Sequence, residues 1–340
     1  MDPQPLEMVP NNNQKRKYPM NCSVIILNWN GTKLLRRYLP SVVANTPEAE
    51  IVLADNGSSD NSIDVTRTEF PTIRILPLKR NYGFAEGYNK AIAQVDSEYV
   101  VLLNSDVEVT EGWLTPLLAY MEAHPEVAAV QPKIRAWRDK ERFEHAGAAG
   151  GYLDKLGYPY CRGRVLSKTE TDHGQYDTVA DILWASGACM LIRREVYLKE
   201  GGLDAQFFAH MEEIDLCWRL NCRGYKIACV PDSVVYHLGG GMLNYENPKK
   251  TYLNFRNNLL MIYKNLPSYR FVGAVRLMLD YAAALKYLLT GHPKNAWAVI
   301  SARWDYHRLK RRYYRPKRKE NLAKAVISCP DTVKGYIFFM

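Results

Sequence analysis

The chain contains no run of about eighteen consecutive apolar residues, the length that a bilayer span requires. Its opening residues, MDPQPLEMVPNNNQKRKYP, hold no apolar core of the kind that a signal peptide uses. The first absence argues against an integral membrane protein and the second against secretion. The seven cysteines (Cys22, Cys161, Cys189, Cys217, Cys222, Cys229 and Cys329) are odd in number and never stand in CxxC spacing. That excludes a zinc ribbon and a fully paired disulfide framework, and it points to free thiols in a reducing compartment. Internal repeats and low-complexity blocks are also missing. The turn after Leu27 lacks the GxGxR-like loop that a nucleotidyltransferase making a sugar nucleotide would want.

What is present is an ordinary soluble composition, 47% hydrophobic and 24% charged over 340 residues, enough for about two domains. Lys and Arg number 45 against 36 Asp and Glu, a formal charge of +9 that asks for an anionic partner. Phosphate and acidic lipid fit. Nucleic acid is not expected, because no recognition motif accompanies the charge.

The rest of the chain is organised around Tyr99 to Glu108, YVVLLNSDVE. A short apolar run without alternation suits a strand buried on both faces. It ends abruptly in Asn104, Ser105, Asp106 and Glu108, and open α/β sheets bind ligands at the carboxyl ends of their strands. Hard oxygen donors at such an edge suit Mg²⁺ or Mn²⁺ serving a phosphate. The same pattern repeats upstream. Ser23 to Leu27 runs into Asn28-Trp29-Asn30-Gly31, and Ile51 to Ala54 runs into Asp55-Asn56-Gly57-Ser58, with helical spacing over 32–44 and to about Glu69. A third strand near 73–76, the turn Asn81-Tyr82-Gly83-Phe84 and a helix over 85–95 lead into YVVLL. Strand alternating with helix four times predicts a parallel sheet with right-handed crossovers. The second half is less regular. It reads as a helix over 113–124, a strand over 127–132, a long polar loop from Arg135 to Gln175, a strand near 189–192, a helix over 212–223 and a strand over 226–230.

From about Tyr252 the composition turns helical and basic. Phe271 to Leu289 is apolar except for Arg276, Asp280 and Lys286, which a helical wheel places on or near one face. A basic run with Tyr313 and Tyr314 inside it follows, from Arg308 to Lys319. An amphipathic helix beside such a segment is expected to lie on an anionic membrane face; a hairpin packed on its own domain or on a second copy of the chain is the alternative.

Seven segments, in order, carry a resemblance: SVIILNWNG, LADNGSSDNS, RNYGFAEGYNKAI, YVVLLNSDVE, ASGACMLIRRE, MEEIDLCWRL and HLGGG. The set is similar to inverting family 2 glycosyltransferases of the GT-A fold, and among them to bacterial rhamnosyltransferase-like members. The resemblance implies an α/β, Rossmann-like, mostly parallel central sheet with flanking helices over residues 20–265. On this reading 1–19 is a flexible arm, 266–320 an amphipathic and basic helical segment, and 321–340 a tail.

It also implies roles. Asp55 matches the aspartate that binds the nucleobase, and Asn28 and Asn30 sit where the nucleotide pocket begins. Asn81 and Gly83 match the segment that lies against nucleotide and donor. The DxD metal motif appears as Asn104-Ser105-Asp106, in which Asp106 matches the direct metal ligand and Asn104 brings no charge. His237 matches a histidine that completes the metal shell. Glu212-Glu213 stands where the family usually has Glu-Asp, with Glu213 at the position of the general base. Trp184 and Asp215 are assigned to the acceptor and sugar side, although Asp215 also stands four residues before Arg219, the spacing of a helical ion pair.

The resulting expectation is a hexosyltransferase dependent on Mg²⁺ or Mn²⁺. It would move a sugar, rhamnose among the candidates, from a nucleoside-diphosphate sugar to a glycan or lipid-linked acceptor in cell-envelope synthesis, working in the cytoplasm on the inner face of the membrane. The contrasting expectation is a catalytically silent nucleotide-sugar-binding or scaffold protein on the membrane.

Overall fold

The computed structural model describes residues 21–165, 168–239, 247–266 and 269–313. The arm at 1–19, the glycines Gly240 and Gly241, the basic positions from Arg315 to Lys319 and the tail at 321–340 lie outside these residues.

The first half alternates as its pattern demands: β1 (Cys22–Asn28), α1 (Thr32–Ala44), β2 (Glu50–Asp55), α2 (Ser62–Glu69), β3 (Arg74–Pro77), α3 (Gly83–Ile92) and β4 (Tyr99–Asn104). These four strands pair in parallel in the order β4-β1-β2-β3. The unbroken apolar run of β1 follows from cover on both sides. Val24 and Ile26 pack with Leu35 and Leu39 of α1, while Ile25 packs with Tyr88, Ala91 and Ile92 of α3.

The second half adds β5 (Val107–Val109), α4 (Leu114–Ala123), β6 (Val127–Ala136), β7 (Asp139–Phe143), β8 (Gly151–Leu153), β9 (Pro159–Cys161), β10 (Arg164–Val165) and β11 (Lys168–Thr169). After these come β12 (Ala180–Asp181), β13 (Cys189–Arg193), α5 (Arg194–Lys199), α6 (Glu212–Cys222) and β14 (Lys226–His237). The main sheet runs β12-β14-β6-β13-β4-β1-β2-β3, with β13 antiparallel to both its neighbours and with β5 on β14 and β7 on β6. The sheet is parallel in its first half and mixed in its second.

Residues 135–175, expected as one long loop, instead form β7 and a small antiparallel sheet, β11-β10-β9-β8. The polar residues that suggested a loop are paired inside. Asp172 is buried and accepts from Lys133 at 2.9 Å and from Arg135 Nε at 2.7 Å. β14 likewise runs past Val230, bulging between Val230 and Val234 before it resumes to His237. The six cysteines among the described residues are all unbridged.

Three helices follow: α7 (Pro248–Asn265), capped by Asn247, α8 (Tyr269–Leu289) and α9 (Pro293–Leu309), which packs against both of the others. Arg276 and Asp280 do share a face of α8, and it is the inward one. Both are buried, Asp280 accepts from Arg303 of α9, and Arg276 donates to Asn258 of α7 and to the Leu156 carbonyl. Among the described residues, no helix is long and apolar enough to cross a membrane.

Candidate active site

The parallel register lines up three strand ends. Asn28 of β1 is the partner of Asp55 on β2, and Leu27 is the partner of Asn104 on β4. At this edge Asn28, Asn30 and Asp55 form one lattice around Ser58. Asn28 Nδ2 donates to Asp55 Oδ1 at 3.0 Å and to Ser58 Oγ at 3.1 Å, and the Ser58 amide donates to Asp55 Oδ2 at 3.0 Å. Asn30, with φ +52°, donates its own amide to Ser58 Oγ and accepts from the Ser59 amide. Trp29, between these two anchored amides, is left exposed and presents a flat aromatic face at the edge.

Asn81 and Gly83 lie against the same edge. Asn56 Nδ2 donates to the Gly83 carbonyl, and the Gly83 amide donates to Asn81 Oδ1. Gly83 has φ +77°, and a Cβ there would meet the Phe208 ring at 2.5 Å, so only glycine fits this close approach.

The metal candidates come together through strand pairing. β5 runs antiparallel to the end of β14, matching Val107 with His237, and the Leu238 amide donates to the Asp106 carbonyl. His237 Nε2 lies 3.1 Å from Asp106 Oδ1 and 3.4 Å from the Asn104 amide nitrogen. Its Nδ1 faces Glu144 Oε2 at 3.5 Å, and Glu144 is itself buried and accepts from the Ala146 amide. Burial alone would lower the His237 pKa, but the two carboxylates outweigh it and push the pKa up to about 10. Asp106 and Glu144, although burial raises both, are held below the usual carboxylate range by His237.

Among the described residues there is no set of three or more His, Cys, Asp and Glu able to hold a metal unaided. One carboxylate and one imidazole in contact, with an amide beside them, nevertheless fit a Mg²⁺- or Mn²⁺-type ion that takes its remaining ligands from substrate phosphates and water. Ser105 sits in the turn between Asn104 and Asp106.

The candidate acid–base residues stand at the start of α6. The chain enters this helix through a contorted turn: Phe208, His210 and Met211 all have φ between +63° and +73°. Asn257 of α7 clamps the turn, donating to the carbonyls of Phe207, Ala209 and His210 at 2.8–2.9 Å. Glu212 is only 3% exposed, and both Glu212 and Glu213 hold a buried Oε2 without a partner. Burial raises the Glu213 pKa to about 7 against the pull of the helix N-terminal amides. Burial first, and then the Glu213 charge, raise Glu212 well above the carboxylate range. A Cβ on Gly187 would lie 3.9 Å from Glu213 Cβ, and the adjacent Ala188 carbonyl accepts from the Asn104 amide at 2.9 Å. A single small-residue turn therefore separates Glu213 from the Asn104–Asp106 strand end.

The family profile for glycosyl transferase family 2 matches residues 23–200, just over half of the chain. The chain belongs to glycosyl transferase family 2. Curated relatives of this glycosyltransferase include an N-acetylglucosaminyl-diphospho-decaprenol L-rhamnosyltransferase of Mycobacterium tuberculosis. It is 28% identical over 233 residues, which cover 63% of this chain and 75% of the relative. The rhamnosyltransferase WbbL of Escherichia coli K12 is 27% identical over 159 residues, covering 44% and 58%. Two solved structures share the fold. GalNAc-T7 with UDP, GalNAc and Mn²⁺ superposes with a TM-score of 0.58 at 19% identity, covering 86% of this chain and 55% of that one. The mannosyltransferase PcManGT of Pyrobaculum calidifontis, with GDP-Man and Mn²⁺, gives 0.52 at 15% identity, covering 86% and 88%.

Two assignments in this glycosyltransferase need correction. Asp215, expected on the acceptor side, is fully buried with both oxygens engaged: Asn265 donates to Oδ1 at 2.8 Å, and Lys264 and Arg219 donate to Oδ2 at 2.9 and 3.0 Å. Its i+4 pairing and the two α7 residues make it a tie between α6 and α7. Trp184, expected to wall the sugar site, is a core residue whose Nε1 donates to the Tyr152 carbonyl and whose ring lies against Gly151. Ser58 and Trp29, inside strand-end turns that the sequence singles out, join the site, as do Glu144 and Asn257, which have no sequence signal of their own. The last two become visible only when the chain around them is placed.

Proposed function

We propose that this glycosyltransferase moves a sugar, with inversion, from a nucleoside-diphosphate sugar to a hydroxyl of a lipid-linked or polysaccharide acceptor. The rhamnosyltransferase relatives support dTDP-rhamnose as the first donor to test, and on this reading the work belongs to cell-envelope glycan synthesis at the inner membrane face. The observation that carries the reading is the meeting, across one small-residue turn, of the Asp106–His237 pair with the unpaired carboxylate of Glu213.

Asn28, Asp55 and Ser58 are pre-set by mutual hydrogen bonds, so an incoming nucleoside meets a rigid edge and little ordering cost. Asp106 and His237 would hold a divalent cation, whose contribution when bound is Lewis-acid neutralisation of the departing diphosphate. Glu144 holds His237 from behind and fixes which ring nitrogen faces the site. Glu213 takes the acceptor proton as the acceptor oxygen bonds to the anomeric carbon and the bond from that carbon to the diphosphate oxygen breaks. Attack opposite the leaving group inverts the anomeric centre, and no second carboxylate is needed as a nucleophile.

The test is turnover of UDP-, GDP- and dTDP-sugars with Mn²⁺ or Mg²⁺, with the product anomer read by NMR. An inverted product that disappears in Asp106→Ala and Glu213→Gln supports the proposal; a retained anomer, or unaltered turnover in Glu213→Gln, overturns it. Asn104, an amide where an acid is usual, is the one feature that favours a silent binding protein. Stabilisation by nucleotide with no transfer from any donor would support that reading.

A further inference from the structure

α8 wears its apolar side chains outward. Of the large apolar residues that stand exposed among the described residues, ten lie between Phe271 and Trp304 and three elsewhere. On α8, Phe271, Met278, Tyr281, Leu285, Leu288 and Leu289 recur at helical spacing along one stripe. The opposite ridge, Val272, Arg276, Asp280 and Ala284, is buried. Exposure at the two ends of the stripe is 75% for Phe271 and 79% for Leu289. Trp297 and Trp304, seven residues apart on α9, are each 71% exposed.

Charge around the stripe has one sign. Arg270, Lys286, Lys294, Arg311 and Arg312 are exposed. The acids of this region are engaged elsewhere: Asp280 is buried between Arg276 and Arg303, while Asp305 accepts from Tyr252 and lies 3.5 Å from Arg308. A folded helix 21 residues long, about 32 Å at 1.5 Å per residue, thus offers an apolar stripe, indole rings and a cationic rim. Since no described helix can cross a bilayer, this one suits lying along its surface.

We propose that the outer stripe of α8, with Trp297 and Trp304, is the seat by which the chain lies on an anionic lipid bilayer, with α8 in the plane of the headgroups. The proposal deepens the membrane part of the function above and rests on it only for purpose. A second copy of the chain is the poorer occupant, because a two-fold contact would set one cationic rim against the other. The seat is joined by side-chain bonds to the helix that carries the base. Arg276 of α8 donates to Asn258 of α7, and Lys264 and Asn265 of α7 hold Asp215 of α6.

The experiment is co-sedimentation of the full chain with vesicles of phosphatidylglycerol mixed into phosphatidylcholine, against vesicles of phosphatidylcholine alone. The expected result is binding to the anionic vesicles about tenfold or more tighter, because each surface cation adds its attraction to the anionic headgroups. The double variant Met278→Asp with Leu285→Asp should lose binding to both, and Lys286→Glu with Lys294→Glu should lose the anionic preference. Brominated acyl chains should quench the wild-type chain more than Trp297→Phe with Trp304→Phe, a readout that leaves the stripe intact. Thermal stabilisation by dTDP or UDP with Mn²⁺ should be unchanged in every variant, so loss of the seat and loss of the nucleotide cleft read separately. Absence of wild-type binding overturns the proposal, as does wild-type binding by the Met278, Leu285 variant. A dimer in sedimentation equilibrium that the same variant dissolves, without vesicle binding by either form, also overturns it and assigns the stripe to a second copy.

Discussion

Glu212 and Glu213 are neighbours on the first turn of α6, yet burial divides their work. Glu212 is closed off, and burial and the Glu213 charge both raise its pKa well above the usual carboxylate range. Glu213 is the less buried of the two, and its pKa of about 7 is close to that of an efficient general base at neutral pH. Glu213→Gln is therefore expected to lower kcat by about 10²–10⁴-fold while leaving nucleotide-induced thermal stabilisation in place. The sign of the pH dependence follows from the same group. A carboxyl that is protonated below about 7 cannot accept the acceptor proton, so kcat/KM should rise about tenfold per pH unit up to about 7 and then level off. A flat profile from pH 5 upward would remove Glu213 from that role. Glu144 would act at one remove, through its contact with His237. Glu144→Gln should weaken Mn²⁺ affinity about 10–100-fold, measured by titrating free Mn²⁺ by electron paramagnetic resonance, with the nucleotide edge unaffected.

At the scale of elements, what could be read from the chain depended on whether burial and hydrophobicity agreed. β1 and β4 are mostly apolar and, apart from Leu27 and Asn104, buried, and so SVIIL and YVVLL reveal both the strands and the site at their ends. The Arg135–Gln175 stretch is polar and partly buried. Its strands were hidden because Lys133 and Arg135 find Asp172, a partner 37–39 residues away that no local window contains. α8 shows the limit differently. The wheel correctly groups Arg276 with Asp280, but periodicity says which residues share a face, not which face is inside. Arg303, 23 residues beyond Asp280, settles that by making a buried charge triad. Removing the central acid leaves two buried guanidinium groups without their counter-charge. Asp280→Ala should thus cost about 3–5 kcal/mol in chemical denaturation. Met278→Ala, on the same helix but facing out, should stay within about 0.5 kcal/mol.

The whole molecule places its two groups of candidate ligand residues on different parts of one sheet. Asn28 and Asp55 belong to the parallel half, while His237 ends β14 and Glu144 directly follows β7, the strand that pairs with β6, on the far side of β13. Asp106 sits between them, just past β4. A nucleoside diphosphate bound at the strand ends would therefore reach from one half to the other, and the candidate metal donors among the described residues are too few to hold an ion unaided. Two consequences are linked. Each of nucleotide and ion should bind better when the other is present, and by the same factor, because binding couplings are reciprocal. Since both bind only the folded chain, the thermal shift with dTDP or UDP plus Mn²⁺ should exceed the sum of the separate shifts. At about a hundred times the dissociation constant, the added stability approaches roughly 2.7 kcal/mol. In Asp106→Ala the nucleotide shift should persist while the extra increment from Mn²⁺ vanishes, since Asn28, Asp55 and Ser58 are untouched. Strictly additive shifts in the wild-type chain would mean that ion and diphosphate do not share a site, and the assignment of Asp106 and His237 would fall with that result.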